Sequence, residues 1–401
     1  MSSPTRMPPL PDMRPRWAPQ PGLRQFWSWS PPPDPEKPAC PYRPGFTVEI
    51  KHRIVPPPFG DPHYGPGTRR RRSDVDLYKV TQTQVVMECP PLEFPHSSPS
   101  PPASTAPTAK LTILSQLAVE DGRGPQLVVC SVAPDASPDP TQDGPSGPYE
   151  AVAKIFDPLY YSFQSQMSAY VPVSVAWRAD VHYTHEAAAL DYLAKKVLAS
   201  EGGHAALLAP QYFGSWTLTL PITYAGKQTE RPIRLVLMEH IHDPSLRSIC
   251  LSPSAFASYT EQDRLAILAT ILEGSARQWH AGLDQRDLAA RNTILRTGSP
   301  SPTPRSDPGQ PLPQPVLVDY NIAVVFDLSL YGKRPCQLRA LPPNPMQMFW
   351  GVNFPDFGGW APAAWDGNER ARQEWLKARF GGEGVAERYA PVDEELELLE
   401  Y

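Results

Sequence analysis

Cysteine is scarce in this chain and falls into no pattern. Its five residues, Cys40, Cys89, Cys130, Cys250 and Cys336, are odd in number, widely spaced and include no C-x-x-C pair. Neither a disulfide framework nor a zinc site is therefore expected, and a reduced, intracellular setting is. No window approaches the ~18 uninterrupted apolar residues of a membrane-crossing helix, so no membrane partner is expected. The first residues lead into prolines and tryptophans without an apolar stretch, which argues against a standard signal peptide. A basic excess is missing too: the net charge is −5 and the pI near 6.0. That balance argues against a general nucleic-acid binder, and no sequence-specific nucleic-acid partner is expected.

Proline is abundant, with 53 residues concentrated in 1–66, 90–107, 134–148 and 299–315. Such segments cannot build a core, so the folded part is expected to be about 280 residues, the rest being tail or inserted loop. The 41% of apolar residues suffices for that core. Residues 1–107 read as a largely disordered tail and linker. Within them Arg69-Arg70-Arg71-Arg72 is a solvated basic run or a nuclear-import signal, leaving cytoplasmic and nuclear placement open, and 76–90 alternates as a strand does.

The most informative stretch is Gln285-Arg286-Asp287-Leu288-Ala289-Ala290-Arg291-Asn292, followed by the β-prone Thr293-Ile294-Leu295. An aspartate and an asparagine five residues apart, on a loop anchored by Leu288, can enter one cleft together. Phosphoryl transfer needs that pair: a carboxylate for the acceptor hydroxyl and a carboxamide oxygen for magnesium.

Upstream, Leu111–Val119 and Gln126–Ala133 form a strand, turn and strand around Gly122 and Gly124. The turn is a plain hairpin or a weak phosphate cradle. Tyr149–Phe156 is an apolar run interrupted by Lys154. A lysine there either snorkels to water or meets an anion. A helix is expected over 180–199, with Glu186 early in it, serving the helix dipole or pairing with Lys154. Strands follow at Tyr212–Leu220 and Pro232–His240, and a helical region over 253–280 delivers the chain to the loop. His280 reads as a satisfied core or helix-end histidine. Val316-Leu317-Val318 then ends in Asp319-Tyr320-Asn321, and Asn368–Phe380 is amphipathic.

Taken in order, these features resemble the protein-kinase superfamily in a divergent form, with a fungal type among the options. Gln285–Asn292 is similar to H-R-D-L-x-x-x-N, Ala151-Val152-Ala153-Lys154 to V-A-I-K, and Asp319-Tyr320-Asn321 to D-F-G. The resemblance covers roughly 110–330. It departs at Gln285, which replaces histidine, at the absent G-x-G-x-x-G and A-P-E, and in the short stretch after Asp319.

What the resemblance implies is a two-lobed α+β fold: a small antiparallel sheet lobe over 108–241, a shortened, mainly helical lobe over 242–380, and an acidic tail over 381–401. Asp287 would be the catalytic base, Lys154 paired to Glu186 would hold the ATP phosphates, and Asn292 and Asp319 would bind magnesium. Gly122 and Gly124 would lie over the phosphates, and the hinge-like Glu239 and Ile241 would meet adenine. Tyr320 would fill the phenylalanine position and Asn321 supply a positive φ. Arg286 would meet a phosphorylated segment or a partner within its own loop. The expected activity is ATP- and magnesium-dependent phosphotransfer to a hydroxyl of a protein or small molecule. A pseudokinase that binds nucleotide or protein without turnover is the alternative.

Overall fold

In the computed structural model, residues 29–65, 76–93, 106–135, 147–164, 171–198, 203–297, 311–392 and 396 are described. The four-arginine run, most of the 299–315 insert and most of the acidic end lie outside them. The first half comprises β1 (Thr47–Arg53), α1 (Gln82–Glu88), β2 (Thr108–Ala118), β3 (Gln126–Pro134), β4 (Tyr149–Phe156), α2 (Val175–Leu198), α3 (Gly203–Leu207), β5 (Tyr212–Tyr224) and β6 (Lys227–Met238). The second comprises α4 (Leu246–Cys250), α5 (Pro253–Ala257), α6 (Glu261–Ala281), β7 (Leu283–Asp284), β8 (Thr293–Arg296), β9 (Gln314–Leu317), β10 (Val324–Val325), α7 (Pro345–Phe349) and α8 (Glu369–Phe380). This is a mixed α/β protein with a sheet and a helical region. Among the described residues no helix is long and apolar enough to cross a membrane.

The sheet closes into an antiparallel barrel in the order β1-β2-β3-β4-β6-β5. Local chemistry shapes its turns: β5 and β6 meet through Ala225 and Gly226, both at positive φ (50° and 74°), as a two-residue hairpin turn of the right twist requires. Side chains alternate across β4. Ala151, Ala153 and Ile155 join the barrel's own core, whereas Val152 and Phe156 join the core shared with the helices. Lys154 falls in the second set by the same period of two.

The helices begin and end where capping chemistry allows. α2 starts at Val175, earlier than expected, where the Ser174 hydroxyl accepts from the Trp177 amide at 3.3 Å. Its Ala187-Ala188-Ala189 run is strongly helix-forming. Glu186 therefore sits mid-helix and cannot serve the dipole of the first turn. The helical region expected over 253–280 is present as two helices, α5 and α6, because Thr260 and Asp263 form a reciprocal capping box that starts α6 afresh. Gly282, at φ 108°, ends it.

The N-terminal region is not all tail. β1 pairs with β2 on one side and β5 on the other, so it is the strand that closes the barrel. The expected strand over 76–90 is instead α1, started by Thr81, whose hydroxyl accepts from the Gln84 amide and caps the first turn. Residues 59–65 strap α2 to the later chain: His185 Nε2 donates to the Phe59 carbonyl at 2.9 Å, and the Val325 amide donates to the Tyr64 hydroxyl at 2.7 Å. Nor is 381–392 simply a solvated tail, since Tyr389 and Ala390 are buried and Arg388 reaches Glu273 at 2.9 Å.

Two outcomes test this architecture. Ile50 on β1 is fully buried, so Ile50→Ala should lower the unfolding free energy by about 2–4 kcal/mol in a denaturant titration; a tail residue would cost nothing. His185 is held neutral: burial pushes its pKa down from 6.5 to about 4, against the pull of its bond to Phe59. Between those pH values the unfolded chain binds a proton that the folded chain does not. Stability should thus fall as pH drops from 6.5 toward 4, and His185→Gln should flatten the slope by about 1.4 kcal/mol per pH unit. An unchanged slope would show that His185 titrates normally.

Candidate functional site

Three elements meet at Lys154. β4 supplies the lysine on its helix-facing side, α2 supplies Glu186, and the turn after β9 supplies Asp319. Lys154 Nζ lies 2.5 Å from Glu186 Oε2 and 2.7 Å from Asp319 Oδ1. Lys154 and Glu186 are almost wholly buried, while the Asp319 side chain is 35% exposed and forms the open side. Burial alone would discharge the lysine, but the Asp319 and Glu186 charges outweigh it and raise its pKa. Burial also works against the Asp319 carboxylate, and the Lys154 ammonium overcomes it, holding the pKa below the ordinary value. At Glu186 burial wins over Lys154, and the pKa is raised. One ammonium thus faces two carboxylates in a largely dry site.

The loop between β7 and β8 lies beside this cluster. The Val318 amide donates to the Asn292 carbonyl at 2.9 Å, and Gln285 Nε2 donates to the Val318 carbonyl at 2.7 Å. Gln285 therefore ties the loop to the segment that carries Asp319. Asn292 Nδ2 donates to Asp287 Oδ2 at 2.7 Å and to its carbonyl at 3.0 Å. The carboxamide oxygen is left free of that interaction. Asp287 Oδ1 accepts from Arg291, whose other nitrogen reaches Asp356 at 2.7 Å. Arg286 meets neither expected partner: its guanidinium contacts His63 of the 59–65 strap, outside its own loop.

Two non-glycine residues here, Arg286 and Asp319, hold positive φ values of 65° and 66°. Such conformations persist where the surroundings over-determine them, often at functional sites. The positive φ expected at Asn321 belongs to Asp319 instead. Asn321 contributes its backbone, which hydrogen-bonds the Asp319 carboxylate. Tyr320 is fully buried, its hydroxyl accepting from Gln278 at 3.0 Å.

The proposed phosphate and adenine contacts fare differently. Gly122 and Gly124, at φ 81° and 121°, aim both amides at one oxygen, the geometry of an anion nest. That oxygen is the Tyr160 carbonyl, at 3.1 and 3.2 Å. The cradle is filled by the chain itself, so these two amides are not open to a phosphate. Glu239 is also engaged: its amide donates to the Gln211 carbonyl at 2.9 Å and its carboxylate pairs with Arg296 at 2.6 Å. It links the end of β6 to β8 and does not offer its amide to a ligand. Ile241 is buried beyond it.

Two residues at the cluster had no signal in the sequence. His182 lies one turn before Glu186 on α2 and is held neutral, with a pKa near 3, by burial and then by the Lys154 and Arg178 charges. Its ring stands 5.7 Å from that of Tyr161. Burial raises the Tyr161 phenol well above its ordinary value. Among the described residues neither the Tyr161 hydroxyl nor His182 Nδ1 has a hydrogen-bond partner. The i, i+4 spacing of His182 and Glu186 was visible in the sequence, but a histidine on a helix face means nothing until its neighbour is known.

Asp319 and the Asn292 carboxamide are hard oxygen donors of the kind magnesium takes, and at Lys154 two carboxylates face one ammonium, which leaves negative charge for a cation to neutralise.

No protein-family model and no curated protein matches the chain. Among solved structures, a crystal structure described as a kinase domain is 14% identical over 54% of this chain and 51% of its own, with a TM-score of 0.29. Vaccinia related kinase 3 is 13% identical over 61% of this chain and 57% of its own, with a TM-score of 0.30. The chain spans little more than half the length of either structure, and superposition this loose carries no weight. The functional reading rests on the side chains.

Proposed function

We propose that this protein is a divergent, two-lobed kinase-like phosphotransferase that uses ATP and magnesium to phosphorylate a hydroxyl of a protein or small molecule. The observation that supports this reading above all is the Lys154 ammonium between Glu186 and Asp319, beside the Asp287–Asn292 pair. Glu186 orients Lys154, which exchanges its contact with Asp319 for phosphate oxygens. Asp319 and Asn292 would hold the magnesium, which would supply positive charge to offset that of the phosphates. Asp287 orients the acceptor hydroxyl and takes its proton as the oxygen bonds to the γ-phosphorus and the bond to ADP breaks. Arg291, now on Asp287, yields part of that contact to the acceptor. Phosphate binding falls to Lys154 and the metal, because the Gly122–Gly124 amides are spent on Tyr160.

That last feature also favours a second reading. A closed glycine turn and an Asp287 already neutralised by Arg291 suit a nucleotide-binding or protein-binding scaffold without turnover.

Thermal melting with millimolar ATP and magnesium addresses binding. The midpoint should rise through linkage, and both Lys154→Ala and Asp319→Asn should abolish the rise while circular dichroism shows the fold intact. An unmoved wild-type midpoint would eliminate the nucleotide site.

Phosphotransfer or ATPase assays then separate the two readings. Asp287→Asn should keep nucleotide affinity while turnover falls at least ~100-fold, the low end for a positioned general base. A wild type that binds ATP but turns over no faster than Asp287→Asn is a scaffold.

A further inference from the structure

Outside the Lys154 cluster, a second group of ionisable side chains converges where the barrel hands the chain to the helices. β4 and β6 pair with Val152 opposite Met238, so the same antiparallel register carried two residues outward sets Glu150 opposite His240. Directly opposed side chains on one face stand about 5 Å apart at Cβ. His242 lies past the end of β6, and its ring comes to the same carboxylate. All three groups therefore reach one side of the sheet end.

Their ligating atoms meet. His240 Nδ1 lies 2.6 Å and His242 Nε2 lies 3.3 Å from the same Glu150 oxygen, and all three ligating atoms fall within 4.8 Å of one another. The two imidazole rings stand 4.1 Å apart, between centroids. Only the His240 contact is a hydrogen bond, and the His242 nitrogen stands beside the same oxygen without one. The arrangement is a good starting point for a cation, because tetrahedral bonds of about 2.0–2.2 Å hold ligand atoms roughly 3.3 Å apart. The His242 contact is already at that spacing, the His240 contact has to open by less than an ångström, and the two imidazole nitrogens start within 4.8 Å of each other; Glu150, with a side chain 41% exposed, has room to move.

We propose that Glu150, His240 and His242 form a binding site for a divalent transition-metal cation, zinc foremost. Two imidazoles and one carboxylate match zinc's preference for nitrogen and oxygen donors, with water completing a tetrahedron. Calcium and magnesium, which require oxygen donors, are disfavoured. Cysteine spacing had excluded a thiolate zinc site and is silent on this one. The cation would join the first turn of β4 to residues 240–242, bracing the segment after β6. If the nucleotide reading holds, that is the segment flanking the base, but metal binding itself does not depend on that reading.

Full-length protein freed of metal by chelation is titrated with zinc chloride in a calorimeter, and separately with cobalt chloride in a spectrophotometer. The expected result is one saturable site per chain. Cobalt should give visible d–d bands without the intense near-ultraviolet charge transfer of thiolate ligation. His242→Ala, whose side chain is 61% exposed in the wild type, should fold normally and weaken zinc binding ~100-fold or more, the upper end of the loss seen when only a supporting residue is removed. Glu150→Gln should weaken it likewise, whereas Asp319→Asn, at the other cluster, should retain it. Absence of a saturable site in wild type, thiolate-type cobalt absorption, or wild-type affinity in His242→Ala would each overturn the proposal. Because neither titration contains nucleotide, a failure here leaves the phosphotransfer reading standing, and the converse holds too.

Discussion

The Lys154 ammonium is the constraint to which the surrounding structure answers. Each ion taken out of water costs several kcal/mol, which attraction to a partner repays only where the geometry is good. A buried cluster of this kind is no strong source of stability, yet it demands exact placement of three elements. β4 must present its even-numbered side chains to the helices, α2 must bring Glu186 mid-helix, and the turn after β9 must hold Asp319 at positive φ. An arrangement that stabilises little yet is built from three separate elements is what a binding site would be expected to cost. The surplus carboxylate gives it a use for a cation.

The remaining architecture supplies rigidity around that point. The 59–65 strap joins α2 to residues 323–330 through Phe59, His63 and Tyr64, and Arg286 of the loop between β7 and β8 leans on His63. Deeper in the barrel, Asp157 accepts from both Arg231 nitrogens at 2.6 and 2.8 Å and from Tyr42 at 2.6 Å, so another N-terminal segment is fastened through a buried pair. Proline-rich composition had hidden these segments. Single polar anchors such as Tyr42, Phe59 and Tyr64 hold them, and composition averages cannot see single anchors.

Much of the site was legible because its chemistry is written in residue type and chain order. A lysine interrupting an apolar strand, a glutamate on the next helix, the Asp287–Asn292 spacing and an aspartate after a hydrophobic strand are local signals, and the structure brings Lys154, Glu186 and Asp319 into contact. The hairpin of β2 and β3, the strands β5 and β6, and the helices α2 and α6 were legible for a related reason: the period of their buried positions is set by backbone geometry alone. The break at Thr260 and the mid-helix place of Glu186 were not, since a capping hydroxyl competes with helix continuation by small margins.

By itself, then, the sequence determined which polar groups exist, in what succession, and on which kind of element each would ride. Tertiary structure decided what each of them meets. Whether the Gly122–Gly124 amides would take a phosphate or the Tyr160 carbonyl depended on the path of the chain after β4. β1 closing the barrel, and Glu150, His240 and His242 converging, depended on strand register. Register and chain path come from contacts between residues far apart in sequence, and no local propensity contains the identity of a distant partner.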